Sequence, residues 1–305
     1  MELKSINGIL FLTFLTDYTI PKIYYYINKY NYLDELITNE NFDENSINKI
    51  IEKSALSYEK MIYNDIKIIP YYSCEYPVNL NILEDKPPII FIKGNLDVNK
   101  TLINVVGTRN NTEYGELLTK KIVRLLVEYN YGICSGLAYG IDSYAHKYTL
   151  LNEGYTIAIL PTSLDSIYPK EHYNLANNIL KNGGALISEL PTDLSLGKRK
   201  FIQRNRIQAA FSKFTIPIEL NVDSGTMYTV KFSIEQNKDV FFIEPNIKYT
   251  EYKSNFDNVI NYLLSRKNNI YQKHTKLIKN SFELLKFLEK ENVDSKFMQT
   301  LFDFT

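Results

Sequence analysis

The sequence has no tryptophan, only two cysteines and only three histidines in its 305 residues. Each scarcity excludes something. Cys74 and Cys134 stand too far apart in sequence to suggest a disulfide framework, and Cys134 lies inside an apolar strand pattern, where a buried thiol in a reducing compartment is expected. Three histidines leave little room for a histidine-rich metal centre, so no metal and no cofactor is expected. Apolar runs are strand-sized and none reaches the roughly eighteen residues of a membrane span. The short apolar patch near the N-terminus is not followed by a small-residue cleavage site, so the chain reads as cytoplasmic, without a secretory signal. An excess of either charge is also lacking: 35 Lys and Arg balance 35 Asp and Glu. A polyanionic partner would therefore have to be met by a local concentration of cations rather than by the whole surface. Three glycine signatures are missing as well. There is no G-x-x-x-x-G-K-[ST], no G-x-S-x-G, and no G-x-G-x-x-G, which argues against a P-loop NTPase, a serine-hydrolase elbow and a dinucleotide fingerprint. No nucleophile–base set is recognisable among Ser135, Asp142, His146, Asp165, His172 and Ser224, and the chain does not read as an enzyme.

What is present is ordinary globular material, with 45% hydrophobic and 23% charged residues. The 25 tyrosines and 16 phenylalanines, beside many Asn, Lys and Ile, are what an AT-rich genome encodes, and carry no function by themselves. Residues 1–65 read as a small helical (SAM-like) domain, with helices near 9–14, 20–30, 33–37 and 47–61 and Pro21 in a first helical turn. From 66 to 248 the pattern becomes strand–helix alternation. Strands are expected at 66–69, 89–92, 102–106, 132–134, 156–160, 185–189, 215–220 and 239–243, with helices near 112–130, 139–152, 171–182, 203–212 and 226–237. Continuous apolar strands separated by helices imply an α/β fold, an extended Rossmann-like parallel or mostly parallel sheet covered on both faces. Residues 249–305 read as a linker and a short C-terminal helical tail. Within it, 246–270 is a polar excursion, 277–288 an amphipathic helix and 294–303 a second short one.

In such a sheet ligands bind at the carboxyl ends of the strands, so the loops there are the candidates. Gly107-Thr108-Arg109 ends one strand, and Thr112 can cap the next helix. Backbone amides there can receive an anion, and Arg109 adds a bidentate phosphate donor. Ser135-Gly136, with Gly140 and Asp142 beyond, repeats the arrangement, and Asp142 can hold a neighbouring loop through backbone amides. Asp142 and His146 share a helix face and read as a hydrogen-bonded surface pair rather than as metal ligands. A third stretch, from Gly197 to Lys213, holds six cations and no acid. Lys200, Arg204, Asn205 and Arg206 in it can clamp phosphates. Ser224-Gly225-Thr226 is the fourth loop. A plain turn or a solvated basic loop is the alternative for each of these alone.

Together these loops resemble those of the DNA-processing protein A (DprA, or Smf) family. The resemblance rests on Gly107-Thr108-Arg109 with Tyr114-Gly115, and on the whole box from Ser135 to Asp142 with His146. It continues through Asp165-Ser166-Ile167-Tyr168-Pro169, Ser188-Glu189-Leu190-Pro191, Arg204-Asn205-Arg206 with Ser212, and Ser224-Gly225-Thr226 with Thr229. Tyr76-Pro77 and the run from Pro87-Pro88 to Gly94-Asn95-Leu96 resemble the family's lead-in, so the match is collinear over about 66–245. The resemblance implies a non-enzymatic protein that binds single-stranded DNA, forms a homodimer, and loads a RecA-type recombinase during recombination, natural transformation and competence. This chain departs from the pattern at Leu160 to Leu164, at Ile202, at Gln208-Ala209-Ala210-Phe211 and at Asn246, which suits a divergent member with a reshaped pocket. A nucleotide-derivative sensor or phosphoribohydrolase-like enzyme is the alternative, on the partial echo of that group's box in Asp223-Ser224-Gly225-Thr226 and Glu235.

Overall fold

The computed structural model describes residues 1–194, 197, 199–245, 250–266 and 269–291. Four helices come first: α1 (Ile6–Leu15), α2 (Ile20–Lys29), α3 (Leu33–Glu40) and α4 (Glu44–Tyr63). Their starts are set by the residues before them. Ser5 accepts from the Gly8 amide and Asp43 from the Ser46 amide, while Pro21 occupies the first turn of α2. Helix α1 is apolar around its whole circumference, and Ile9, Leu10, Phe11, Leu12 and Phe14 are all buried. A helix of that kind needs cover on every side. It lies between the other N-terminal helices and the sheet, sharing one core with Ile89, Phe91, Ala158 and Leu186.

The sheet begins with β1 (Ile66–Pro70) and β2 (Ile89–Gly94), an antiparallel pair. Alternation follows: β3 (Leu102–Gly107), α5 (Glu113–Glu128), β4 (Gly132–Ser135), α6 (Ile141–Leu151), β5 (Thr156–Ile159), α7 (Tyr173–Lys181), β6 (Ala185–Ser188), α8 (Arg199–Phe211), β7 (Thr215–Ile218), α9 (Gly225–Glu235) and β8 (Val240–Ile243). Among the described residues nine strands, the last being β9 (Thr275–Ile278), form one sheet in the order β1-β2-β6-β5-β4-β3-β7-β8-β9, parallel everywhere except at β1–β2 and β2–β6. One face is covered by the N-terminal helices, α7, α6 and α5, and the other by α8 and α9.

Two local expectations change. The basic stretch is not a loop feeding a helix, because α8 already starts at Arg199 and its cations lie along it. The polar region after β8 is not an excursion either. It contains α10 (Thr250–Leu264), followed by α11 (Asn269–His274), and β9 (Thr275–Ile278) adds a ninth strand beside β8 before α12 (Ser281–Glu291). Phe256, Val259, Ile260 and Leu263 are buried at helical spacing among the asparagines and pack with Val230 and Phe242. The helix expected over 294–303 lies outside the described residues.

Cys134 sits fully buried on β4, where burial pushes its thiol up to about 12, whereas Cys74 is exposed. The thiolate is the reactive form. In native protein at neutral pH only Cys74 should react with a disulfide reagent, and Cys134 should follow only after denaturation. Rapid modification of both thiols in the folded state would contradict this placement.

Candidate functional site

The strand order reverses at β3, which has β4 on one side and β7 on the other. Connections leave these neighbours in opposite directions, and the gap between their loops is where open α/β sheets bind ligands. A cleft of about 380 Å³ opens at this point. Gly107, Thr108, Arg109, Arg204, Asn205, Ser224, Gly225 and Thr226 all line it. With Ala138 and Asp142, which also line it, four segments widely separated in sequence meet at one rim.

The loops are held there by specific contacts. A Cβ on Gly107 would stand 2.1 Å from the Ile218 carbonyl oxygen, so β3 and β7 can approach only with glycine here. Gly140 has φ +72°, and a Cβ on it would lie 2.3 Å from the Thr108 carbonyl oxygen. Asp142, buried in the first turn of α6, accepts backbone hydrogen bonds from Ala138 and Gly107 and so ties two loops together. Burial raises its pKa, partly offset by the positive charge of Arg204. Thr226 donates its hydroxyl to the Gly107 carbonyl at 2.8 Å, and Asn205 Nδ2 donates to the Gly225 carbonyl at 3.4 Å. Thr112 caps α5 by accepting from the Gly115 amide, and its own amide donates to the Glu219 carboxylate at 2.8 Å. Glu219, absent from the sequence reading, thus anchors the loop after β7 to the start of α5. Its backbone φ of 48° was not legible from residue type.

Arg204 lines the cleft but is 5% exposed, and its guanidinium is already engaged. It donates to the carbonyls of Gly136, at 2.7 Å, and Ile159, and to Asn205 Oδ1 at 3.1 Å. Burial lowers its pKa to about 10, with Asp142 opposing the shift. Five other expected ligand residues do not line the cleft. Arg206 turns away from it, donating to Glu189 at 2.8 Å and to Asp85 at 2.8 Å. Burial alone would lower the pKa of Arg206, and Glu189 more than offsets this and leaves it raised. Lys200 lies 4.4 Å from the centre of the Tyr18 ring, facing the N-terminal helices, and burial lowers its pKa. Ser135 is fully buried and donates its hydroxyl to the Val105 carbonyl at 2.7 Å. Gly136 belongs to the adjoining indentation, and Gly140 shapes the loop from behind.

That indentation supplies what composition could not: aromatic groups in a definite place. Tyr139, Tyr168 and Phe201 line it together with Arg109 and Arg204. The Arg109 guanidinium lies 5.8 Å from the centre of the Phe201 ring, and Tyr168 meets that ring edge-on at 5.1 Å. Arg109 is exposed, and Tyr139 and Tyr168 are 41% and 45% exposed. An exposed cation and exposed rings thus flank a cleft walled by backbone amides and hydroxyls, an arrangement suited to an anionic chain carrying flat bases.

Asp142 and His146 are not a surface pair. His146 is fully buried, and its Nδ1 contacts Thr156 Oγ1 at 2.7 Å while that hydroxyl donates to the Ile133 carbonyl. The imidazole is therefore the donor through Nδ1, and Nε2 carries no proton and no partner. Among the described residues no three His, Cys, Asp or Glu side chains cluster closely enough to hold a metal ion. Glu235, the partial echo of a hydrolase, lies ten residues beyond Gly225 at the far end of α9. That places it about 15 Å along the helix from the cleft, where it accepts from the Tyr271 hydroxyl instead.

Fold and site together define a doubly wound α/β protein with a cleft at its switch point. A family profile for DNA recombination-mediator protein A matches residues 67–280, and the chain belongs to that family. Protein Smf of Escherichia coli is 37% identical over 194 residues, covering 63% of this chain and 51% of that protein. DNA processing protein DprA of Streptococcus pneumoniae is 38% identical over 173 residues, 56% of this chain and 61% of that one. The chain's matches span about half to three fifths of the length of these relatives. The solved structure of the S. pneumoniae protein superposes with a TM-score of 0.70 at 24% identity, covering 96% of this chain and 99% of that one. A structure described for the single-stranded DNA binding mode of DNA processing protein A from Helicobacter pylori gives 0.61 at 25% identity, with 74% and 96% covered.

Two outcomes follow from the geometry. Arg204→Ala strands two carbonyls and the buried Asp142 carboxylate, and should lower stability by about 3–5 kcal/mol. Arg109→Ala should leave thermal stability within about 0.5 kcal/mol, and equal melting of the two variants would refute the division. Burial pulls the pKa of His146 from its ordinary 6.5 down to about 3. A folded-state value below the unfolded one means that His146 favours folding above pH 6.5 and that this contribution drains away as pH falls toward 3. Stability should drop by up to about 1.4 kcal/mol per pH unit within that window from this group, and His146→Asn should flatten the dependence. An unchanged slope in the variant would show His146 to be irrelevant to it.

Proposed function

We propose that this chain is a single-stranded DNA-binding recombination mediator and not an enzyme. The observation that carries the reading is the convergence of Gly107-Thr108-Arg109 and Ser224-Gly225-Thr226 on one cleft whose rim bears Arg109, Phe201, Tyr139 and Tyr168. Family membership and the described DNA-binding mode of the H. pylori relative support it. Phosphates enter the cleft, received by the amides at the start of α9, by the Thr108 hydroxyl and by Arg109. Bases stack on the rim aromatics, which tolerate any sequence because every base has a π-face. Gly136 and Gly140 keep the loop backbone close, and Arg204 and Asn205 position it from beneath. Lys200, Arg206 and Ser135 act on the scaffold. In the cytoplasm the protein, as a homodimer, would hand its DNA to a RecA-type recombinase, in keeping with the family's role.

Fluorescent oligonucleotides titrated at several salt concentrations test this. Single strands should bind in preference to duplex, because rim stacking needs unpaired bases. Arg109→Ala should weaken binding and reduce the slope of log affinity against log salt by about 0.7, the value for one phosphate contact on a single strand. A folded Arg109→Ala variant with wild-type affinity and slope, or equal affinity for duplex, would overturn the assignment.

A further inference from the structure

The cleft is lined by more than phosphate-binding groups. Beside the glycine and hydroxyl loops that suit a phosphate, its lining includes the apolar side chains of Val106, Ala138 and Ile202. Gln208 also lines it. Gln208 is 1% exposed, and its Nε2 is buried without a hydrogen-bond partner. Leaving an amide donor in that state costs free energy. The nearby amide of Asn205, by contrast, is paired. Gln208 is carried on α8 one turn beyond Arg204, so the helix that Arg204 fixes beneath the loops also fixes this amide. The cleft volume of about 380 Å³ falls within the range of sites that enclose small organic ligands. A phosphate oxygen could accept from the orphaned amide, but apolar walls offer an anion nothing. A nucleobase satisfies both: flat faces for the walls, and carbonyl or ring-nitrogen acceptors along its edge.

We infer that the switch-point cleft takes up one whole nucleotide of the bound strand, with its base turned inward and its edge accepting a hydrogen bond from Gln208 Nε2. The inference rests on the single-stranded DNA reading and deepens it, because phosphate capture alone would work equally well on a strand without bases. Gln208 then contributes base-dependent affinity, whereas Arg109 contributes backbone affinity.

The test compares a deoxythymidine oligonucleotide with an abasic strand of the same length and charge, on wild-type protein and on Gln208→Leu, with Gln208→Met as a second variant if the first fails to fold. Wild-type protein should bind the base-bearing strand more tightly. The variant should lose about 3–10-fold on that strand, the worth of one hydrogen bond, and nothing on the abasic one. Because it removes an unpartnered buried amide, the variant should also melt at or above the wild-type temperature. Loss of affinity for both strands alike, or for neither, would overturn the inference while leaving DNA binding intact. Failure of wild-type protein to bind either strand would overturn the DNA reading and this inference together.

Discussion

The guanidinium of Arg204 is the contact on which the cleft depends. It sits beneath Gly136, with the Asp142 carboxylate close by. A Cβ on that glycine would lie 2.5 Å from Asp142 Oδ2 and 2.6 Å from a guanidinium nitrogen of Arg204. The acceptors of Arg204 are the carbonyls of Gly136, just past β4, and of Ile159, at the end of β5. Asp142 in turn collects amides from the loops after β3 and β4. One buried charge therefore fixes the ends of three strands and two helices relative to one another. A buried guanidinium without such acceptors would be costly, and the acceptors without it would be stranded carbonyls. Each half makes the other tolerable, and the rim is rigid before any ligand arrives, so little ordering remains for binding to impose.

The other cations near α8 are used in the same way. Arg206 joins Glu189 and Asp85, and the Tyr18 hydroxyl donates to the same Glu189 carboxylate at 2.7 Å. Tyr18 comes from the turn after α1, so this cluster fastens the N-terminal helices to the sheet. Ser57 extends that junction through the Thr192 carbonyl, and Lys60 through an ion pair with Asp193. At the opposite end of α8, Lys238 donates to the carbonyls of Ala209, Ala210 and Ser212, each at 2.7 Å. These are the carbonyls that a helix end leaves unpaired, and burial lowers the Lys238 pKa to about 8. Helix α8 is thus held by buried cations at its middle and by half-buried Lys238 at its end.

This use of charge explains which parts of the molecule could be read from residues alone. Strands β3 to β8 are short apolar runs bounded by glycine, asparagine and proline, and both their existence and their parallel packing were legible. So were the cap at Thr112 and the tie from Asp142 to backbone amides, because these are local in sequence. The direction in which a cation points was not. At about 100° per residue Arg206 stands about 200° around the helix from Arg204, while Lys200 lies within about 40° of Arg204 but one turn earlier. Only the packing of α8 against the sheet decides which face meets the cleft and which meets Glu189, a residue in the preceding loop. Glu219 was invisible for the same reason, since its partner Thr112 lies 107 positions away. Helix α10 escaped because asparagines dilute its apolar spacing, although Phe256, Val259, Ile260 and Leu263 keep the period.

A balanced net charge then ceases to conflict with a polyanionic partner. Counterion release counts only the cations that face phosphate, and burial withdraws Arg206 and Lys238 from that count while Arg204 is saturated by carbonyls. What remains around the cleft is an exposed Arg109, backbone amides at two glycine loops, hydroxyls and exposed rings. Amides and rings carry no net charge, yet a fixed amide directed at an anion avoids the reorganisation that a mobile lysine requires. Such a site derives affinity from geometry and stacking more than from long-range attraction. Long-range attraction would draw in any nucleic acid, duplex included. In the proposed role, short-range contacts would admit only a strand whose phosphates reach the loops while its bases lie free to meet Phe201 and Tyr168, and the same internal use of cations that holds the fold together would also narrow what the cleft accepts.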